Sequence, residues 1–188
     1  MTTRDDQTGL MNLGAFTFVV DHVVRRASRA GECATILSIG IGTSTGAGRP
    51  GRPVPPPSSS TVYRVARMLR TELRGEDVIA RLGTREFGVA LPDTDAGQGE
   101  IVVGWIQSLL AGEDGSDPLG EVVSVGRVTF EPTRGPVSAE ALLDAARGSR
   151  GGPSSLSGDD VPAERAIDAT PSRGGGRRHL RPLRSPES

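Results

Sequence analysis

The chain has 188 residues, 35% of them hydrophobic, 24% charged and only 3% aromatic, with a formal net charge of -1. That length suits one domain with a tail, and that charge excludes a basic nucleic-acid coat. No apolar run is long enough to span a bilayer, no apolar stretch follows Met1 as a signal peptide would require, and the single Cys33 cannot form an internal disulfide. A cytoplasmic location is expected.

In chain order, Phe16, Val19, Val20, Val23, Val24 and Ala27 recur at helical spacing and predict an amphipathic helix over about 12–30. Ala34 to Ile41 reads as a strand with Leu37, Ile39 and Ile41 on one face. Residues 42–60 (GTSTGAGRPGRPVPPPSSS) read as a loop inside the domain, partly extended at Pro55-Pro56-Pro57. Ser58 to Ser60 offer a cap for a helix whose stripe is Val62, Val65, Ala66, Leu69 and Leu73. Residues 77–82 and 86–91 read as strands of a hairpin turning at Gly83-Thr84-Arg85. A helix over about 95–111 is expected, with Ile101, Trp105 and Leu109 on one side. Residues 121–130 predict a strand, and a last helix starts after Ser138 and stops at Gly148. The order α-β-α-β-β-α-β-α predicts an α/β sandwich, a mostly antiparallel sheet with helices packed on it. Residues 1–147 are the expected domain. Residues 148–188 hold few, isolated apolar side chains and are expected to be disordered.

Several segments together carry a resemblance. Asp5, Thr8, Gly9, Leu10, Asn12 and Phe16 follow the pattern D-x-L-T-G-L-x-N-R-x-x-F, and Arg26 and Arg29 resemble a basic helix end. Residues 65–94 (VARMLRTELRGEDVIARLGTREFGVALPDT) form a long spaced match, and Val122 to Gly126 resemble a later strand ending in S-I-G. Over residues 5–147 the chain thereby resembles the GGDEF domain of diguanylate cyclases, enzymes that condense two GTP into cyclic di-GMP. Taken singly, Thr8-Gly9-Leu10 is any helix cap and Gly83 to Phe87 any hairpin turn; their order and spacing carry the resemblance.

The resemblance implies a nucleotidyl-cyclase-like fold and a degenerate active site. The family holds divalent metal between a carboxylate at the end of its first strand and another at the third signature position. Those positions hold Ser38 and Arg85 here, and the signature itself reads Gly83-Thr84-Arg85-Glu86-Phe87. A fixed positive charge about 4 Å from a divalent cation is opposed by roughly 8 kcal/mol at an effective dielectric of about 20. The loop of 42–60 contains no Asn, Asp, Glu or Lys for guanine or phosphate, and Ser59 falls where the family's guanine-reading Asp stands. Thr84 replaces the second signature Gly. No metal or other cofactor and no cyclase activity are expected, a residual diguanylate cyclase being the least favoured alternative. Asp5 lies close to Met1, so no input domain is expected ahead of it.

Arg74-Gly75-Glu76-Asp77 fits the family's R-x-x-D inhibitory site, with Arg74 nine positions before Gly83. That implies a cyclic di-GMP site at Arg74 and Asp77, because guanidinium forks onto phosphate and carboxylate accepts from guanine N–H groups. The plainer alternative is a surface pair at a helix end. Arg173, Arg177, Arg178, Arg181 and Arg184, with His179, form a basic cluster without an aromatic for base stacking, so nucleic acid is an unfavoured partner. A protein partner for the loop and tail is the competing expectation, and a membrane partner is not expected.

Overall fold

The computed structural model describes residues 2–42, 56–112, 123–135 and 137–150. Most of the internal loop and the Arg173–Arg184 cluster lie outside the described residues.

The N-terminal segment turns on itself before the first helix. The Asp5 carboxylate accepts from the Thr8 backbone N–H (2.8 Å) and the Thr8 hydroxyl (2.6 Å), and Gly9 takes the left-handed region at φ 69°. Strand β1 (Met11–Asn12) pairs parallel with Ala80 and Arg81. A two-residue pairing leaves no periodicity, so the sequence did not announce it. Asn12 then caps α1 (Leu13–Ala30), its side-chain oxygen accepting from the Ala15 N–H at 3.0 Å.

Strand β2 (Ala34–Ile41) follows and is buried along its whole length. Helix α2 (Ser59–Glu72) begins at an N-cap Ser58, as expected. Strands β3 (Val78–Gly83) and β4 (Glu86–Pro92) form the hairpin. An Asp95–Gln98 capping box starts α3 (Ala96–Ala111). Strand β5 (Val123–Phe130), a 3-10 turn at Pro132–Arg134 that was not foreseen, and α4 (Ala139–Gly148) complete the described fold.

The sheet order is β1-β3-β4-β2-β5, antiparallel except for β1 with β3. This is the expected sandwich. β2 lies in the interior of the sheet, and side-chain alternation sends its two faces into two cores. Ala34 and Ile36 pack with Phe16, Val20 and Val24 of α1 and Leu142 and Leu143 of α4. Leu37, Ile39 and Ile41 pack with Val62, Val65 and Leu69 of α2 and Ile106 and Leu110 of α3.

On α3 the side carrying Ile101, Trp105 and Leu109 is only partly covered: Ile101 is 58% exposed and Trp105 packs partly, while Gly99, Ile106 and Leu110 are buried and Val102 and Val103 pack partly. The helix meets the sheet through Gly99, where a Cβ would stand 2.8 Å from Thr35 Cγ2. Gly99, Val102, Val103, Ile106 and Leu110 make a regular stripe whose first member is a glycine. Because α3 is apolar on most sides, hydrophobic period alone could not choose between the two stripes.

Candidate functional site

The signature hairpin is organised by Arg81, a residue on β3 that is buried despite its charge. Its Nε donates to the Gly83 carbonyl (3.1 Å), Nη2 to the Thr84 carbonyl (3.1 Å) and Nη1 to Gln7 Oε1 (2.7 Å). The guanidinium carbon lies 5.9 Å from the Phe87 ring centroid, a cation–π distance. One side chain thus fixes the turn, the last signature residue and the N-terminal motif. Thr84 and Arg85 form the two-residue loop without positive φ, so neither needs glycine there.

Register places the signature acid on the α1/α4 face. Gly40 of β2 lies opposite Glu86 of β4 and Ser124 of β5, and Ser38 lies opposite Gly88 and Gly126. Glu86 is met there by side chains from α4 and the turn after it. Ser38 Oγ donates to Glu86 Oε1 at 2.7 Å, Arg147 Nε to the same oxygen at 2.8 Å, and Arg147 Nη2 to Oε2 at 3.1 Å. Arg150 Nη2 also donates to Oε1. Burial pushes the Glu86 carboxyl up, yet the bonds from Arg147 and Ser38 and the charges of Arg150 and Arg147 outweigh it. The group is held below its ordinary value. Chiefly through its bond to Glu86, Arg147 is raised above its own.

Arg85, at the third signature position, turns to the end of β2 and donates from Nη1 to the Ile41 carbonyl at 3.0 Å. Its Nη2 is buried without a hydrogen-bond partner. Divalent Mg²⁺ seeks carboxylate and other oxygen ligands. Ser38 and Arg85 give it a hydroxyl already donating to Glu86 and a guanidinium. Among the described residues no three His, Cys, Asp or Glu side chains come together. The residues present do not fit a metal. Ser59, the position matched to guanine recognition, is the first residue of α2 and is exposed.

Arg74 and Asp77 lie in the turn between α2 and β3. Asp77 Oδ2 accepts from the Arg74 backbone N–H at 2.8 Å, and the Asp77 N–H donates to the Arg74 carbonyl at 3.1 Å. Burial pushes the Asp77 carboxyl up by more than the Arg74 N–H and charge pull it down. The Arg74 guanidinium, 45% exposed, stands 3.9 Å from Glu76. This turn sits at the opposite end of β3 from the hairpin, roughly 17 Å away along the strand. The R-x-x-D pair and the signature acid are therefore separate places on the molecule.

Sequence reasoning missed Arg147 and Arg150 as neighbours of Glu86 and Arg81 as organiser of the hairpin. Arg147 and Arg150 lie 61 and 64 residues from Glu86, and their only local signal is basic charge at a helix C-terminus.

No protein-family model and no curated protein matches the sequence. Solved structures do. The fold is similar to the FimX GGDEF domain from Pseudomonas aeruginosa, with 15% identity, a TM-score of 0.62 and coverage of 79% of this chain and 91% of that one. It is similar to a sensory box/GGDEF family protein from Caulobacter crescentus, at 22% identity, TM-score 0.62 and coverage of 79% and 95%. The DgcB GGDEF domain from Caulobacter crescentus, solved in complex with c-di-GMP, matches at 20% identity, TM-score 0.61 and coverage of 78% and 84%. The chain has the fold of a GGDEF domain. No described helix is long and apolar enough to cross a membrane.

Proposed function

We propose that this chain is a non-catalytic GGDEF-fold protein of cyclic di-GMP signalling, one that binds the dinucleotide through Arg74 and Asp77 and does not make it. The observation that supports loss of catalysis is the state of Glu86. It is the only acid left in the signature, and its carboxylate is engaged by Ser38, Arg147 and Arg150. Arg85, where the resemblance asks for a second acid, brings positive charge to the same hairpin. The resemblance at Arg74 and Asp77, together with the c-di-GMP complex of the similar DgcB domain, supports the ligand. At that turn a half-exposed guanidinium suits phosphate or the Hoogsteen edge of guanine, and Asp77 has one oxygen beyond the one that takes the Arg74 N–H.

A second function is favoured by that same bond. Asp77 closes its own turn, as a purely structural residue does, and the chain then serves as a scaffold for a protein partner. Calorimetric titration with cyclic di-GMP separates the two. The expected result is binding that Arg74→Ala weakens about tenfold or more, a loss of about 1.4 kcal/mol. Absence of binding, or binding indifferent to Arg74→Ala, selects the scaffold. Incubation with GTP and Mg²⁺ or Mn²⁺ is expected to give no cyclic di-GMP, and product would overturn the non-catalytic assignment.

A further inference from the structure

The carboxylate of Glu86 is heavily engaged, with three donors on Oε1 and one on Oε2. A carboxylate offers about four lone-pair sites. Oε1 accepts from Ser38, Arg147 and Arg150, and Oε2 accepts from Arg147. Glu86 is only 17% exposed, and Arg150 and Arg147 are 21% and 34% exposed, so the group is shielded from bulk water. Two guanidinium charges face one carboxylate, and Asp144 balances part of the excess through its 2.9 Å pair with Arg147.

The space beside Glu86 is filled as well as its charge. An added Cβ on Gly40 would stand 2.6 Å from Arg150 Nη1 and 2.8 Å from Ser124 Oγ. On Gly126 it would stand 2.0 Å from the Ala146 carbonyl oxygen and 2.8 Å from Arg150 Cγ. The two glycines thus form a bare floor on which the end of α4 and the Arg150 chain lie. Ser149 fastens the same turn to β5. Its hydroxyl accepts from the Arg127 N–H at 2.7 Å and lies 3.0 Å from the Arg127 carbonyl, to which it donates.

We propose that the Arg147–Arg150 turn is a built-in occupant of this end of the sheet. Its guanidinium pair takes the charge position that a divalent cation would fill beside Glu86, and the Arg150 chain takes the space above Gly40 and Gly126. The proposal rests on the non-catalytic assignment and adds the residues that keep the site closed. A cation approaching Glu86 meets a carboxylate whose two oxygens both already accept from guanidinium groups, and two fixed positive charges. A planar or phosphorylated ligand approaching the glycine floor meets the Arg150 side chain.

The test is a pair of mutant cycles on the full chain, read by thermal unfolding in EDTA and in millimolar Mg²⁺. Wild type is expected to have the same Tm in both. Arg150→Ala, alone or with Arg147→Ala, lowers Tm by roughly 4 °C or more. Adding Glu86→Gln to the double arginine background recovers part of the loss, because it removes a carboxylate left without its arginine partners; in Arg150→Ala alone, where Arg147 still pairs with Glu86, it lowers Tm further. Gly40→Ala lowers the Tm of wild type more than that of Arg150→Ala, because the contact with Arg150 disappears with that side chain and only the one with Ser124 Oγ remains. Should the double arginine variant fail to fold, the Gly40→Ala cycle in the Arg150→Ala background carries the test. A rise in wild-type Tm with Mg²⁺ that Glu86→Gln abolishes overturns the proposal. So does an absence of any recovery by Glu86→Gln in the double arginine background, or a Gly40→Ala cost that is the same in wild type and Arg150→Ala. Formation of cyclic di-GMP from GTP, assayed separately, would strike the functional assignment and leave the outcome of these cycles to stand by itself.

Discussion

At Glu86 burial and ion pairing oppose each other, and the balance can be read from its titration. Burial opposes ionisation, but the donors from Arg147 and Ser38 and the charge of Arg150 hold the folded-state pKa below that of the unfolded chain. The contribution to stability is therefore complete above the unfolded carboxyl range, about 4.3, and is lost as pH falls through the folded value. Glu86→Gln lacks this contribution at every pH. The stability gap between wild type and Glu86→Gln, measured by urea unfolding, is expected to be widest near neutrality and to narrow as pH drops below about 4. A gap that stays constant into acid would mean that Glu86 acts through shape alone. Arg81 works beside it differently. Its guanidinium is held by two carbonyls, Gln7 and the Phe87 ring, so it organises neighbours and pairs with no acid there.

At the scale of elements, α3 offers a direct check on how a helix chooses its face. Ile106 is fully buried while Ile101 is 58% exposed, although the two are the same residue type five positions apart on one helix. Ile106→Ala is expected to cost about 2–5 kcal/mol, the range for a buried aliphatic truncation, whereas Ile101→Ala should stay within about 0.5 kcal/mol of wild type. Chemical denaturation of the two variants reads this, and equal costs would mean that α3 sits rotated from the stripe of Gly99, Ile106 and Leu110. The same comparison marks what was legible in the sequence. Ser58 and Ser138 announced two helix starts because a cap is a local device, and the β3–β4 hairpin announced itself through alternation on either side of a short turn. The face of α3 was hidden because a glycine in the stripe carries no hydrophobic signal. Ser38 and Arg85 could be placed by their match to a family pattern. The Arg147 and Arg150 contacts could not, since nothing local to 147–150 says that the end of α4 lies over the glycines of β2 and β5.

Over the described molecule, the two candidate places lie at opposite ends of the central sheet. Arg74 and Asp77 lie at one, and Glu86 with its arginines at the other, so substitutions at the two ends should act additively. The second end also holds the last of the described residues before 151. Helix α4 finishes at Gly148, but the chain makes two more attachments: Ser149 to the backbone of Arg127, and Arg150 to Glu86. Residues 151–188 carry only isolated apolar side chains and can add little burial. A chain ending at Arg150 is therefore expected to unfold in urea at the midpoint of the full-length protein. A chain ending at Gly148 loses both attachments and should be less stable by about 1–3 kcal/mol. The new terminal carboxylate would stand near Arg147, so the full-length Ser149→Ala and Arg150→Ala variants are the matched controls. If the chain ending at Gly148 matched the one ending at Arg150, the last turn would be ornamental. If the full chain proved more stable than the one ending at Arg150, residues beyond 150 would have to hold part of the fold.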